Sequence, residues 1–180
     1  APAGTDGNHV LVLGRISDDP RAHHGQLQPL LDYVVAQMHD VGIREGRVLM
    51  ARDAQQMASY LRRGRVDWVT ETAGTAVALG QRADARPLLL TERSGVSDYH
   101  SIFFVRRDSP VQRLQDLRGR TLALQNVAST SAYLVPAITL LEQGLAPQIL
   151  QSADDTPPAG AVGYIFARSE LNIATYVHKG

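Results

Sequence analysis

Three hydroxyl residues in a row, Ser129, Thr130 and Ser131, stand in the run Asn-Val-Ala-Ser-Thr-Ser-Ala-Tyr-Leu-Val-Pro at 126–136. An apolar strand pattern at 121–125 precedes them, and a helical pattern that stops at Gly144 follows. Placed between a buried strand and a helix, the hydroxyls and the first amides of that helix point the same way. A helix N-terminus carries unsatisfied N–H donors and about half a positive charge, a combination suited to phosphate, phosphonate, sulfate or carboxylate without any Lys or Arg. Plain helix capping accounts equally for one of the three hydroxyls.

Glu71 and Thr72 form a second candidate. They follow the apolar stretch 66–70 at its carboxyl end, where open α/β sheets place ligands. A carboxylate there repels an oxyanion. Glu71 therefore suits a ligand that also carries an amino group or a protonated oxygen, and a solvated strand-end Glu is the alternative. Thr72 would add a donor.

Other chemistry is missing from the sequence. With no cysteine, thiol nucleophiles, Cys-based zinc sites and iron–sulfur ligation are excluded. His23 and His24 are adjacent and do not share a helix face, so they read as loop histidines rather than metal ligands. Neither a G-x-x-x-x-G-K phosphate loop nor a G-x-S-x-G elbow occurs, and no general base lies near Ser131 in sequence. Arg62, Arg63 and Arg65 sit near a helix end, where a solvated face opposing the dipole explains them. The expectation is a binding protein with no catalysis, no cofactor and no metal.

The elements that must position these residues follow from the patterning. The chain has 180 residues, 44% of them hydrophobic, with 18 cations balanced by 18 anions. That is enough to bury a substantial core or two smaller lobes. The cations are scattered, which argues against nucleic acid as a partner. No apolar run approaches the roughly 18 residues of a membrane span.

After a polar leader at 1–9, the stretch 10–13 reads as a buried strand. From Leu27, the spacing of Leu30, Leu31, Val34, Val35 and Met38 predicts a helix with Pro29 in its first turn. Strands are expected at 47–52, 66–70 and 88–90, with Asp53 as an N-cap and a short Ala-rich helix at 74–82. Residues 99–107 predict a nine-residue strand that crosses between lobes. Beyond it come a helical turn at 111–117, strands near 148–151 and at 161–166, and a helix from Ser169. No internal repeat stands out. The fold class is α/β with two lobes, 10–97 and 108–180, joined by the crossover at 98–107. The second lobe stops after a helix with no returning strand, which suggests a fragment with an unpaired strand edge.

Several segments, in order, resemble the periplasmic phosphonate, phosphite and phosphate binding proteins, the solute receptors of ABC importers. Ser-Thr-Ser-Ala-Tyr-Leu-Val-Pro at 129–136 is similar to their S-T-S-G-x-L-x-P signature. Tyr-His-Ser-Ile-Phe-Phe-Val-Arg-Arg-Asp-Ser-Pro at 99–110 resembles Y-x-S-x-x-x-V-x-x-D-S-P, and 114–123 resembles the D-L-K-G-K-T run. Segments 29–34, 62–72 and 162–172 agree as well.

The resemblance implies a two-lobed periplasmic-binding-protein-like fold that captures a small oxyanion. It implies that Ser129, Thr130 and Ser131 hold the anion, that the Tyr99 hydroxyl faces the cleft, and that Asn172 lies near a pocket position. It further implies a membrane permease as partner and a periplasmic location. A ligand-sensing extracytoplasmic domain of a signalling receptor is the alternative function. The sequence departs from the family pattern at Ala132, where Gly is usual, and at Ala73, where Pro is frequent. The strand bearing an acidic pocket residue and the return crossover have no counterpart in these 180 residues.

Overall fold

A computed structural model describes residues 9–92 and 94–180. The leader expected at 1–9 lies, except for His9, outside the described residues. The chain divides into two compact units, with the boundary between Leu88 and Leu89.

Unit one is built as strand, helix, strand, helix, strand, helix: β1 (Val10–Ile16), α1 (Pro20–Ala36), β2 (Glu45–Ala51), α2 (Ala54–Arg62), β3 (Trp68–Val69) and α3 (Ala73–Ala83). All pairing is parallel, in the order β2-β1-β3. The period of two along each strand divides the core between the faces. Leu11 and Leu13 of β1, with Val48 and Met50 of β2, pack against Leu27, Leu31 and Val35 of α1. Val12 and Ile16, with Leu49 and Ala51, face Met57 and Ala58 of α2 and Leu79 of α3.

The first helix begins earlier than the apolar spacing indicates. Asp19 caps it by accepting from the Ala22 amide at 3.3 Å, and Pro20 takes the first helical position. Pro29 therefore lies inside the helix instead of in its first turn, where it forfeits one i→i−4 hydrogen bond. Burial of Leu27, Leu31 and Val35 offsets that loss. His23, read as a loop residue, belongs to this helix, and its Nδ1 hydrogen-bonds the Ser17 hydroxyl.

Unit two contains β4 (Thr121–Leu124), a π turn at Thr130–Leu134 running directly into α4 (Val135–Glu142), β5 (Ala146–Ile149), β6 (Ala161–Phe166) and α5 (Glu170–Lys179). Its sheet is also parallel, in the order β4-β6-β5. Leu117, Leu140, Leu145 and Val162 form its buried centre. The helical turn expected at 111–117 is a 3₁₀ turn, Leu114–Leu117, in which the Asp116 carboxylate accepts from the amides of Gln112 and Arg113. Those amides, Gln112's first, hold its carboxyl below the ordinary aspartate range.

Two expected strands are not strands. Leu88, Leu89 and Leu90 join no ladder and are 83%, 91% and 98% exposed. Residues 98–107, the expected crossover, likewise pair with nothing in the sheets. Apolar content marks both runs as able to be strands, but a strand exists only where its amides and carbonyls are paired along a neighbouring edge, and neither run is so paired.

The units repeat one another, contrary to the reading of the sequence. β1 and β2 align Leu13 with Val48, and β4 and β6 align Leu122 with Tyr164. Setting Leu13 against Leu122, and the N-caps Asp53 and Ser169 against each other, aligns 48–64 with 164–180, while β5 has no counterpart in unit one. The pairs Ala51/Ala167, Arg52/Arg168, Ala58/Ala174, Tyr60/Tyr176 and Gly64/Gly180 are identical. The N-caps Asp53 and Ser169 both accept from the amide three residues on, at 2.7 and 3.1 Å.

Candidate functional site

In unit two, the loops at the carboxyl ends of β4 and β6 meet the N-termini of two helices. Gln125 leaves β4, its amide donates to the Ala132 carbonyl at 3.1 Å, and its own carbonyl accepts from the Arg168 amide at 2.7 Å. The Gln125 side-chain amide donates to Glu170 Oε1 at 2.9 Å. These bonds fasten the 126–134 loop to the start of α5. Gln125 and Arg168 did not emerge from the sequence reading as site residues, and Glu170 read there only as a helix-cap residue. Arg168 has a left-handed backbone, φ 72°, and its match with Arg52 in the repeat is the signal that singles it out.

The hydroxyl triplet divides into different roles. Ser129 is 9% exposed, and its Oγ accepts from the Ala132 amide at 3.1 Å, so it is the N-cap of the π turn. Its carbonyl also accepts from the Leu134 amide. Capping thus accounts for Ser129. Thr130 and Ser131 are the first two residues of the turn, half-buried, with the Ser131 carbonyl held by the Ser101 hydroxyl at 2.5 Å. Ala132 is absent from the positive-φ residues, so the glycine usual in the family is not required for the backbone here.

Tyr133 locks the turn onto the sheet. Its ring meets Phe166 edge-on at 5.1 Å and Tyr164 tilted at 5.9 Å, both on β6. Burial, then a hydrogen bond with Tyr133, pushes the Tyr164 phenol up to about 12. In an alkaline absorbance titration, Tyr164 should therefore ionise after an ordinary tyrosine. Tyr133→Phe should move it back toward 10. Indistinguishable titrations of the wild type and this variant would refute the pairing.

The remaining candidates fall as follows. Asn172 is in the first turn of α5, where its side-chain amide donates to the Ala167 carbonyl at 2.8 Å and its backbone amide donates to the cap Ser169. It ties α5 to the end of β6. Tyr99 is 68% exposed and belongs to the unpaired segment that reaches the triplet through Ser101. Glu71 and Thr72 belong to unit one. Glu71 is not a solvated strand-end carboxylate: its Oε1 accepts from the Ile16 amide at 2.7 Å, and Oε2 accepts from the Thr72 amide at 3.3 Å. Thr72 occupies the N-cap position of α3, although its side chain makes no capping bond. Among the described residues there is no cluster of His, Asp or Glu that could hold a metal ion.

Comparison with known proteins identifies the family and the fold. Residues 16–178 match the family described as ABC transporter, phosphonate, periplasmic substrate-binding protein. The chain is similar to XAC2383 from Xanthomonas citri in its chloride-bound structure, at 62% identity and TM-score 0.90, over 96% of this chain and 62% of that one. For XAC2383 bound to ATP the values are 60% identity and TM-score 0.88, over 96% and 61%. A binding protein component of an ABC phosphonate transporter from Pseudomonas aeruginosa, PA3383, shares the fold at 19% identity and TM-score 0.62, over 93% of this chain and 54% of that one. The chain thus spans somewhat under two thirds of the length of these structures. By its sequence over 16–178 and its parallel α/β architecture, the chain belongs to the periplasmic substrate-binding proteins of phosphonate ABC transporters.

Proposed function

We propose that the chain binds a small phosphonate- or phosphate-type oxyanion at the turn 129–134 and delivers it, as part of a periplasmic receptor, to a membrane permease. The observation that carries this reading is the hydroxyl-bearing helix start at the carboxyl end of a parallel sheet, with Thr130 and Ser131 in its first turn. Hydroxyls and amides there meet an anion without a counter-cation, and the peptide dipoles behind them favour negative charge. Arg168 adds positive charge at the same strand ends. Tyr99 and Asn172 support the site in unit two by holding the loops around it or by contacting the organic part of the ligand, and Glu71 and Thr72 are ligand contacts carried by unit one itself. That XAC2383 binds chloride in one structure and ATP in another supports an anion as the ligand and places nucleoside phosphates among the compounds to test. The reading is of binding without turnover.

Thermal shifts and calorimetry across phosphate, phosphite, methylphosphonate, 2-aminoethylphosphonate, sulfate and ATP test this. A ligand at 100 times its Kd adds about 2.7 kcal/mol of apparent stability. Thr130→Ala and Ser131→Ala should each weaken binding by about 1.5–3 kcal/mol, the range for hydrogen bonds to charged groups. Ser129→Ala should cost about 1 kcal/mol of stability through its lost cap. Unchanged affinity in the Thr130→Ala/Ser131→Ala double variant would remove the turn from the site.

A further inference from the structure

Sequence spacing places Arg62, Arg63 and Arg65 at a helix end, and folding brings two more cations to the same place. α2 ends at Arg62 and α3 at Ala83, and the two helices pack through Met57, Ala58 and Leu79. Arg62 Nη1 donates to the Arg82 carbonyl of α3 at 2.8 Å. Gly64, with a left-handed φ of 65°, reverses the chain, and the Arg65 amide donates back to the Tyr60 carbonyl at 2.9 Å. The Arg65 guanidinium then lies 4.7 Å from the centre of the Tyr60 ring. Arg86 follows shortly after Asp84, the left-handed C-cap of α3. All five arginines are exposed.

Their number exceeds what the helices ask for. A helix C-terminus carries about half a negative charge, so about one cation matches two such ends. Among the described residues, none of the five arginines is in an ion pair. The acids between Arg62 and Arg86 are Asp67, Glu71 and Asp84. Asp67 Oδ2 is engaged, accepting from the Val12 amide at 2.9 Å, and Glu71 reaches the Ile16 amide at the far end of β1. These two bonds also locate the arginines. They gather at the amino-terminal end of the strands, the end of unit one opposite Glu71 and Thr72.

We propose that this end of unit one docks on an anionic membrane surface, its guanidiniums meeting lipid phosphates. A planar guanidinium presents paired N–H donors that match phosphate oxygens. Two of the five are already oriented, one by the Arg82 carbonyl and one by the Tyr60 ring, so less side-chain freedom is lost on contact. Five cations spread over two helix ends and a loop suit a plane of many phosphates, whereas one small ion needs donors that converge. In this orientation the strand ends bearing Glu71 and Thr72 point away from the membrane.

The test is co-sedimentation of the whole chain with vesicles of phosphatidylcholine alone and of equal parts phosphatidylcholine and phosphatidylglycerol. It is run at about 0.1 M and about 1 M salt, between which the Debye length falls from about 10 to about 3 Å. Binding to the anionic vesicles alone, lost at the higher salt, is expected. Arg63→Gln/Arg86→Gln spares the Arg62 and Arg65 contacts and should lower partitioning about 25-fold, since each cation near such a surface is worth about fivefold. Arg107→Gln/Arg118→Gln removes the same charge from exposed positions in unit two and should leave partitioning nearly unchanged. Equal binding to both vesicles, binding that persists at the higher salt, or equal losses in the two double variants would each overturn the proposal. So would binding to soluble polyglutamate without binding to vesicles.

Discussion

Leu140→Ala should lower the unfolding free energy of unit two by about 2–5 kcal/mol, the range for deleting a buried leucine side chain. Leu140 is fully buried on α4, among Leu117, Leu145 and Val162. Its neighbours come from a 3₁₀ turn, a loop and β6, which cannot all collapse into the space it leaves. The effect also reaches the candidate site, because the π turn that bears Thr130 and Ser131 runs without a break into α4. Affinity measured near the unfolding midpoint should then fall with the folded fraction, while affinity in well-folded protein at low temperature should be nearly unchanged. Ile138→Ala, on the exposed side of the same helix, should change stability by only about 0.5 kcal/mol. Urea titration followed by separate probes in each unit distinguishes the two variants, since two compact units can unfold in separate steps. A loss below about 1 kcal/mol for Leu140→Ala would contradict the packing described for α4.

Glu71→Ala should destabilise unit one by about 1.5–3 kcal/mol, the range for hydrogen bonds to a charged group. The Glu71 carboxylate takes the Ile16 amide at the end of β1 and the Thr72 amide at the start of α3. Alanine leaves a partly buried strand-end N–H without its acceptor. Glu71→Gln retains one carbonyl oxygen but loses the charge, so an intermediate loss is expected. Hydrogen exchange at Ile16 is the direct readout, with protection falling in Glu71→Ala. A change of under about 0.5 kcal/mol, normal for a surface substitution, would return Glu71 to the solvated reading and leave ligand contact as its main role.

Local chemistry in the sequence determined a good deal of this protein. The apolar run at β1, the Asp53 and Ser169 caps, the glycines that end the helices and the hydroxyl triplet at a helix start are short-range features, and each depends on residues within a few positions of one another. They were enough to establish alternating parallel α/β units, and the ordered motifs were enough to place the chain with the phosphonate-binding receptors.

What needed the tertiary structure was every feature that depends on a distant partner. Leu88–Leu90 and 99–107 have the residue types of strands, yet a strand exists only where another edge accepts its amides and carbonyls. Pro29 is tolerated inside α1 because Leu27, Leu31 and Val35 find a sheet to cover. Glu71 looks like a ligand-facing carboxylate until the Ile16 amide, 55 positions away, is found against it. The repeat was hidden for a similar reason. Packing preserves side-chain role more strictly than identity, so Asp53 answers to Ser169 and Met57 to Ile173, and it takes the helix caps together with the strand pairing to align them.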